Sequence, residues 1–385
     1  FAPPGGPNDV VGPTDADSDG IPDSAEQPGG TFAGLPLYDW GARTGRRDIF
    51  VHIDHMTSAS GDEAVTPRRE ALDDVVSAFQ AQGVALHLDV GRLFHPAAGA
   101  NPALHDLDDR DHTVPEAIGI TLGESDDGRA NLYDYKYQYM DLAKKQVFHY
   151  AIFGTSQEAD GSCGSGGLAE LSGNDFLVTL GGCGFNSSDT PSTNRLVNAQ
   201  STVFMHELGH NLGLEHGGDE NVNYKTNYVS IMNYMYSFEG LPTIGVSEGD
   251  RYQYFVDPYT NPLSGLTNSP YTSTFIIDYS HGVGSSLNEV SVVEGQGLRY
   301  PGSSPVDFND DGDTLDTLLL DLNQDLLYTV LTDHDDWGSI DLFFVRNYSG
   351  DADGPIFNIA GDYSWVDVVG DDRDYRIFVG QVDDA

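Results

Sequence analysis

Apolar positions in the first half of the chain follow two periods in turn. Asp48-Ile49-Phe50-Val51-His52-Ile53 has strand character, with β-branched and aromatic residues in one run. Thr66-Pro67 then supplies an N-cap and a first helical position, and Leu72, Val75, Val76 and Phe79 recur at the spacing of one helical face. Gly83 ends that helix, and Val84–Val90 returns to strand character. The unit predicts two parallel strands joined by a right-handed helical crossover. Residues 95–132, dense in Pro, Asp and Gly, are expected to be a surface excursion. A helix is predicted near 136–148 and a third strand at Phe148–Phe153. Two short strands follow at Leu168–Leu171 and Phe176–Leu180, around the turn signal Ser172-Gly173-Asn174-Asp175. Pro191 to Leu212 reads as a longer helix. Beyond about residue 240 the pattern weakens into short β-like runs, Gly turns and Asp clusters, with no repeat at solenoid spacing. The elements predict an α/β (α+β) chain in three parts. Residues 1–30 form an Asp-rich linker, 31–216 an N-terminal subdomain, and 217–385 an irregular C-terminal subdomain.

The chain has 385 residues and 39% hydrophobic content, enough for a real core. No stretch of about 18 apolar residues occurs, so no membrane insertion is expected. The opening Phe1-Ala2-Pro3-Pro4-Gly5-Gly6 lacks a charged n-region and an apolar core, and reads as a mature or trimmed form. Acidic residues outnumber basic ones 61 to 18, for a net charge of −43. Nucleic acid is therefore not an expected partner, because phosphate binding needs clustered Lys and Arg. The acidity itself has three readings: solvation at high salt, calcium binding, or ordinary solubility. The two cysteines, Cys163 and Cys183, suit one disulfide in an exported protein, worth roughly 3 kcal/mol on the chain-entropy model. Two reduced thiols that never meet are the other reading.

Chemistry concentrates between residues 206 and 216. His206 and His210 are four apart, so on a helix their imidazoles face one side and can grip one zinc ion. Glu207 stands beside the first ligand, placed to act on water without binding the metal. Gly213 permits a sharp exit from the helix, which would bring His216 back as a third ligand. Three nitrogens and one open position are the catalytic arrangement rather than the structural one. The alternative, histidines that merely pack, must also account for the glycine and the third histidine at matching offsets.

With Ser230-Ile231-Met232-Asn233-Tyr234 downstream, this region resembles the metzincin peptidases, whose extended zinc motif His206–His216 fits at every defined position. The resemblance implies a zincin fold, a twisted mixed five-stranded sheet over the active-site helix. It implies that Met232 floors the metal in a Met-turn and that the strand near Leu168–Leu171 is a cleft edge able to pair with substrate. Tyr234, two places past the Met, is similar to the astacin and serralysin arrangement, whereas Glu207–Gly213 looks adamalysin-like. Tyr234 is thus either an oxyanion-supporting phenol or an ordinary buried tyrosine. His216-Gly217-Gly218 through Tyr234, with Asp278-Tyr279-Ser280 and Leu287-Asn288-Glu289, resembles a group of secreted microbial zinc peptidases. The implied function is a secreted, monomeric zinc metalloendopeptidase acting on proteins or peptides, with a propeptide or inhibitor as a further partner.

Calcium is the second expected cofactor. Asp15, Asp17, Asp19, Ile21 (through its carbonyl), Asp23 and Glu26 occupy positions 1, 3, 5, 7, 9 and 12 of a calcium loop, with Gly20 at position 6. Pro22 and Pro28 argue against a paired EF-hand, and the loop more closely resembles thrombospondin type 3 or dockerin modules. A solvated acidic linker is the alternative. Asp307, Asn309, Asp311 and Asp313 repeat the first half of the pattern, with Asp316, Asp321, Asn323 and Asp325 as further oxygen donors. Asp351-Ala352-Asp353-Gly354 reads as a turn. His52 and His55 flank Asp54, but strand alternation separates them and they read as structural. Two other functions compete: a calcium-dependent adhesion module with a degenerate zinc site, which the intact Glu207 argues against, and a zinc hydrolase of a non-peptide amide.

Overall fold

The strand β1 (Asp48–Met56) is buried at every position, as a strand covered on both faces must be. In this computed structural model it is an interior strand of the sheet, paired on both sides. The structure describes residues 14–95, 105–123 and 125–342, and the backbone of the short strands 347–348, 356–357 and 381–383. The opening hexapeptide and the turn expected at 351–354 lie outside the described residues. The crossover helix α1 (Arg69–Ala81) buries Ala71, Leu72, Val75 and Phe79 against the sheet, about 1.5–3 kcal/mol for each large side chain. It starts later than Thr66-Pro67 because Gln200 captures this entry. The Gln200 side chain accepts from the Arg68 N–H and donates to the carbonyls of Ala64 and Thr66. Gly83, at φ +74°, then turns the chain into β2 (Ala85–Asp89), parallel to β1 as expected.

The helix α2 covers Leu132–Tyr139 rather than 136–148. Asn131 caps it by accepting the Tyr133 N–H, and its C-cap, Met140, is already extended. Beyond the cap, Lys144 turns inward to a buried polar cluster instead of prolonging the helix. β3 (Phe148–Phe153) pairs parallel with the other side of β1. β4 (Gly167–Glu170) and β5 (Asp175–Val178) are antiparallel to each other, with β5 parallel to β3. The strand order β2-β1-β3-β5-β4 is the expected mixed five-stranded sheet of a metzincin-like zincin fold. Two short segments extend it: Thr113–Val114 pairs with the end of β1, and Gln381–Asp383 pairs antiparallel with β4. The edge expected to be open to substrate thus already carries an antiparallel strand.

The long helix α3 (Thr190–Asn211) is capped by Asp189, which accepts from the Ser192 N–H, and carries Pro191 in its first turn. Every residue from Asn198 to Asn211 is buried, because the sheet covers one side of the helix and the later part of the chain the other. Residues beyond 217 are mostly irregular, with α4 (Asp250–Val256) the main helix, yet they share one hydrophobic core with α1 and α3. Phe79 packs edge-on against both Tyr279 and Trp337 at 5.9 and 5.1 Å, and Met232, Leu298 and Leu322 belong to the same core. Cys163 and Cys183 are joined as a disulfide. Among the described residues no helix is long and apolar enough to cross a membrane.

Candidate active site

The last turns of α3 put His206 and His210 on one face, with their Nε2 atoms 3.1 Å apart. Gly213, at φ +94°, reverses the chain immediately after the helix. His216 returns with its ring 4.9 Å from His210 and 5.4 Å from His206. One ring nitrogen from each of the three lies within 4.8 Å of the others, and all three residues are buried. The outer nitrogens have partners of their own. His206 Nδ1 donates to the Ile231 carbonyl and His210 Nδ1 to the Leu214 carbonyl, both at 2.7 Å, and His216 Nδ1 donates to Asn221 Oδ1 at 3.1 Å. Each acceptor fixes the proton on Nδ1 and turns a lone pair on Nε2 inward, the tautomer a zinc ligand requires. The donor set and its outer partners therefore fit zinc.

Glu207 is fully buried and its carboxylate rests on the first residue of β4. A Cβ added to Gly167 would lie 2.2 Å from Glu207 Oε1, so any side chain there would displace the carboxylate. Beneath the helix, Met232 is fully buried, and a Cβ on Gly209 would fall 2.5 Å from its sulfur. The turn holding Met232 is anchored by Asp336, which accepts from Tyr228 Oη, Ser230 Oγ and the Ser280 N–H at 2.7–2.9 Å. Burial raises the Asp336 pKa to about 7, with the Ser230 and Ser280 hydrogen bonds opposing the shift. Tyr234 leaves the turn with its ring 4.1 Å from that of His216. Asn211, at the end of α3, donates to the carbonyls of Glu170 and Asp175, and its Oδ1 accepts from His149 Nδ1. It thereby ties the helix to β4 and β5. Gly167, Asn211, Asn221 and Asp336 were not singled out from the sequence, since each acts on residues distant along the chain or through a turn without a motif. His206, Glu207 and Tyr234 open onto a cleft of about 280 Å³.

The acidic loops lie elsewhere. Asp15, Asp17 and Asp19 bring one oxygen each within 4.8 Å of one another, and so do Asp19, Glu26 and Asp48. Asp15 accepts from the N–H groups of Ser18 and Gly20, which curls the loop. Asp19 accepts from the N–H of Asp48, joining the loop to the start of β1. Glu26 is 1% exposed, and among the described residues neither of its carboxylate oxygens has a hydrogen-bond partner, nor does the buried Oδ1 of Asp17. Burial, reinforced by neighbouring carboxylates, raises Asp19 to about 7 and Glu26 to about 8. Asp23 faces the Ala16 N–H, and the Ile21 side chain is buried in the core. Asp48 was missed because nothing in its local sequence marks it. In the other loop Asp307 accepts from the N–H groups of Asp311 and Gly312, Asp311 from that of Asp313, and Asp313 from that of Leu315. Asn309 donates to Asp311 and to Asp316. Asp321, Asn323 and Asp325 form a separate turn of the same design, with Asp321 accepting from Asp325 and Leu326.

His52 and Asp54 do share a face, 3.0 Å apart. The cluster they join was not foreseen: Lys144, 1% exposed, donates to Asp89 and Asp108 at 2.5 and 2.6 Å and lies 3.1 Å from His52 Nδ1. The ammonium supplies the cation this pocket of acids and imidazoles requires.

Compared with known proteins, residues 123–217 match the family model of the reprolysin-like metallo-peptidases, family M12B. The match takes in β3, β4, β5, α3 and all three histidines, and ends before the turn of Met232 and Tyr234. No curated protein and no solved structure matches the chain. The match and the histidine cluster make the chain a zinc metallopeptidase, and together with the fold they support the metzincin clan.

Proposed function

We propose that this zinc metallopeptidase is a secreted endopeptidase in which Glu207 is the general base, Tyr234 supports the oxyanion and calcium stabilises the N-terminal loop. The observation that carries the first part is the Glu207 carboxylate pressed on Gly167 of the edge strand, one residue from His206. On this reading His206, His210 and His216 hold zinc, which when bound supplies Lewis acidity toward the peptide carbonyl and lowers the pKa of water. Glu207 takes the proton of the attacking water and returns it to the leaving amine. Its seat on β4 puts that transfer beside the backbone of a substrate lying along the edge in the place of Gln381–Asp383. The Tyr234 hydroxyl donates to the developing oxyanion, and its ring against His216 keeps it beside the metal ligands.

Residues 31–216 would thus supply sheet, base and ligands, and residues from 217 onward the floor and one wall of the cleft. The antiparallel seating of Gln381–Asp383 on β4 supports an extended chain as the ligand of this edge, in preference to a small non-peptide amide. Secretion is supported by the Cys163–Cys183 disulfide, a bond that persists in oxidising surroundings. Calcium is supported by buried Glu26, whose two oxygens have no hydrogen-bond partner among the described residues and which clusters with Asp19 and Asp48. The test is incubation of zinc-replete protein with an unfolded protein substrate and mass spectrometry of the products. Internal cuts that stop with a zinc chelator and resume with added zinc are expected. Trimming from chain ends only, or no cleavage, would refute the endopeptidase reading.

A further inference from the structure

The cleft beside the histidines contains one charge that the hydrolytic chemistry does not use. Glu239 lines it together with Tyr224, Tyr254 and Phe255, and the rings of Tyr224 and Phe255 stack at 4.8 Å to form one wall. Burial pushes the Glu239 carboxyl up to about 7, opposed by its own backbone N–H, that of Phe238, and the charge of Arg251. Arg251 does not close the pocket, because its guanidinium is spent on the carbonyls of Gly240, Thr267 and Asn268. A carboxylate in a cleft lined by aromatic residues suits an organic cation, which gains an ion pair and contact with the rings.

The position of the pocket says which substrate residue reaches it. It is lined by Gly166 and Gly167, at the N-terminal end of β4, and by Thr202 and Val203, one turn before His206. A chain antiparallel to β4, as Gln381–Asp383 is, passes Glu170 first and Gly167 last. Glu207 sits at Gly167, so the residues that continue past it are those on the amine side of the cleaved bond. We infer that this pocket selects Lys or Arg immediately after the scissile bond, with Glu239 as the specificity-determining carboxylate. The inference rests on the endopeptidase reading. The net charge of −43 favours the same substrates at long range by drawing basic peptides to the surface.

The experiment uses the full chain, zinc-replete, with a library of peptides whose new amino termini are read by mass spectrometry. Lys and Arg are expected to dominate as the new amino-terminal residue. A matched pair of peptides carrying Lys or Leu at that position then gives a ratio of kcat/KM values, which should fall at least about tenfold in Glu239→Gln whatever the absolute rates. Cleavage without basic preference, or an unchanged ratio in a folded Glu239→Gln variant, would overturn this inference alone. The wild-type library result stands even if the variant does not fold. Absence of any cleavage would overturn the endopeptidase reading and this inference with it.

Discussion

Gly167→Ala tests the placement of Glu207, the proposed base, without substituting it. The added Cβ would stand 2.2 Å from Glu207 Oε1, 2.5 Å from Cδ and 2.6 Å from Cγ, where ordinary contact begins at 3.4 Å. The carboxylate must therefore retreat by 3.4 − 2.2 = 1.2 Å. Misplacing a catalytic group by about 1 Å costs on the order of 10²-fold, so kcat/KM should fall by about that factor. The fold should tolerate the change. Gly167 is not among the residues with positive φ, the clash is with the end of a flexible side chain, and Gly→Ala at a compatible site stabilises by about 0.4–1 kcal/mol. Steady-state kinetics, thermal melting and zinc content measured on the same preparation separate these effects. The expected result is a large loss of kcat/KM with melting and zinc unchanged. Full activity would refute the reasoning, as would a loss of activity that merely tracks a loss of zinc.

Tyr234→Phe should lower kcat and kcat/KM together by up to about 10²-fold with little change in KM or zinc content, and full kcat would make the hydroxyl structural. In chelator-stripped protein calcium should raise the melting temperature by mass action, and Asp19→Ala or Glu26→Gln should blunt the rise. A parallel sodium chloride series separates screening of the net charge, and no response to calcium would reduce the loops to acidic turns. His149, fully buried, has its pKa lowered from 6.5 to about 4 by burial, against the opposing Asn211 hydrogen bond. Its contribution is complete above pH 6.5 and is lost as pH falls toward 4, by up to roughly 3 kcal/mol. His149→Gln should flatten that part of the stability profile, and an unchanged slope would assign it to other groups.

The parts of this molecule legible in the sequence are those whose information is local. The α1 stripe of Leu72, Val75 and Phe79, the strand runs of β1, β2 and β3, and the i, i+4 histidines all encode their geometry within a few turns. Gly213 was readable for the same reason, since only glycine reverses a chain so sharply at a helix end. What escaped depends on contacts between distant segments. Gly167 is a commonplace residue until β4 lies against α3. Lys144 resembled one more position of a helix, yet the acids at Asp89 and Asp108 pull it inward. The start of α1 is set by Gln200, more than a hundred residues away, and the β4 edge is occupied by a segment near the end of the sequence. Asp48 and Asp336 have no motif, because each meets its partners only once the sheet and the later segments have assembled.

In the proposed mechanism three histidines and Glu207 form a hydrolytic zinc centre, with Glu207 acting as base and not as ligand. Glu207→Ala, loaded with zinc and assayed on a peptide that the wild type cleaves, tests it most directly. Zinc stoichiometry and melting should stay close to wild type, because His206, His210 and His216 keep the partners of their outer nitrogens. Turnover should be lost almost entirely, with a deficit larger than that of Tyr234→Phe. Near-normal turnover in the metal-replete variant would contradict it.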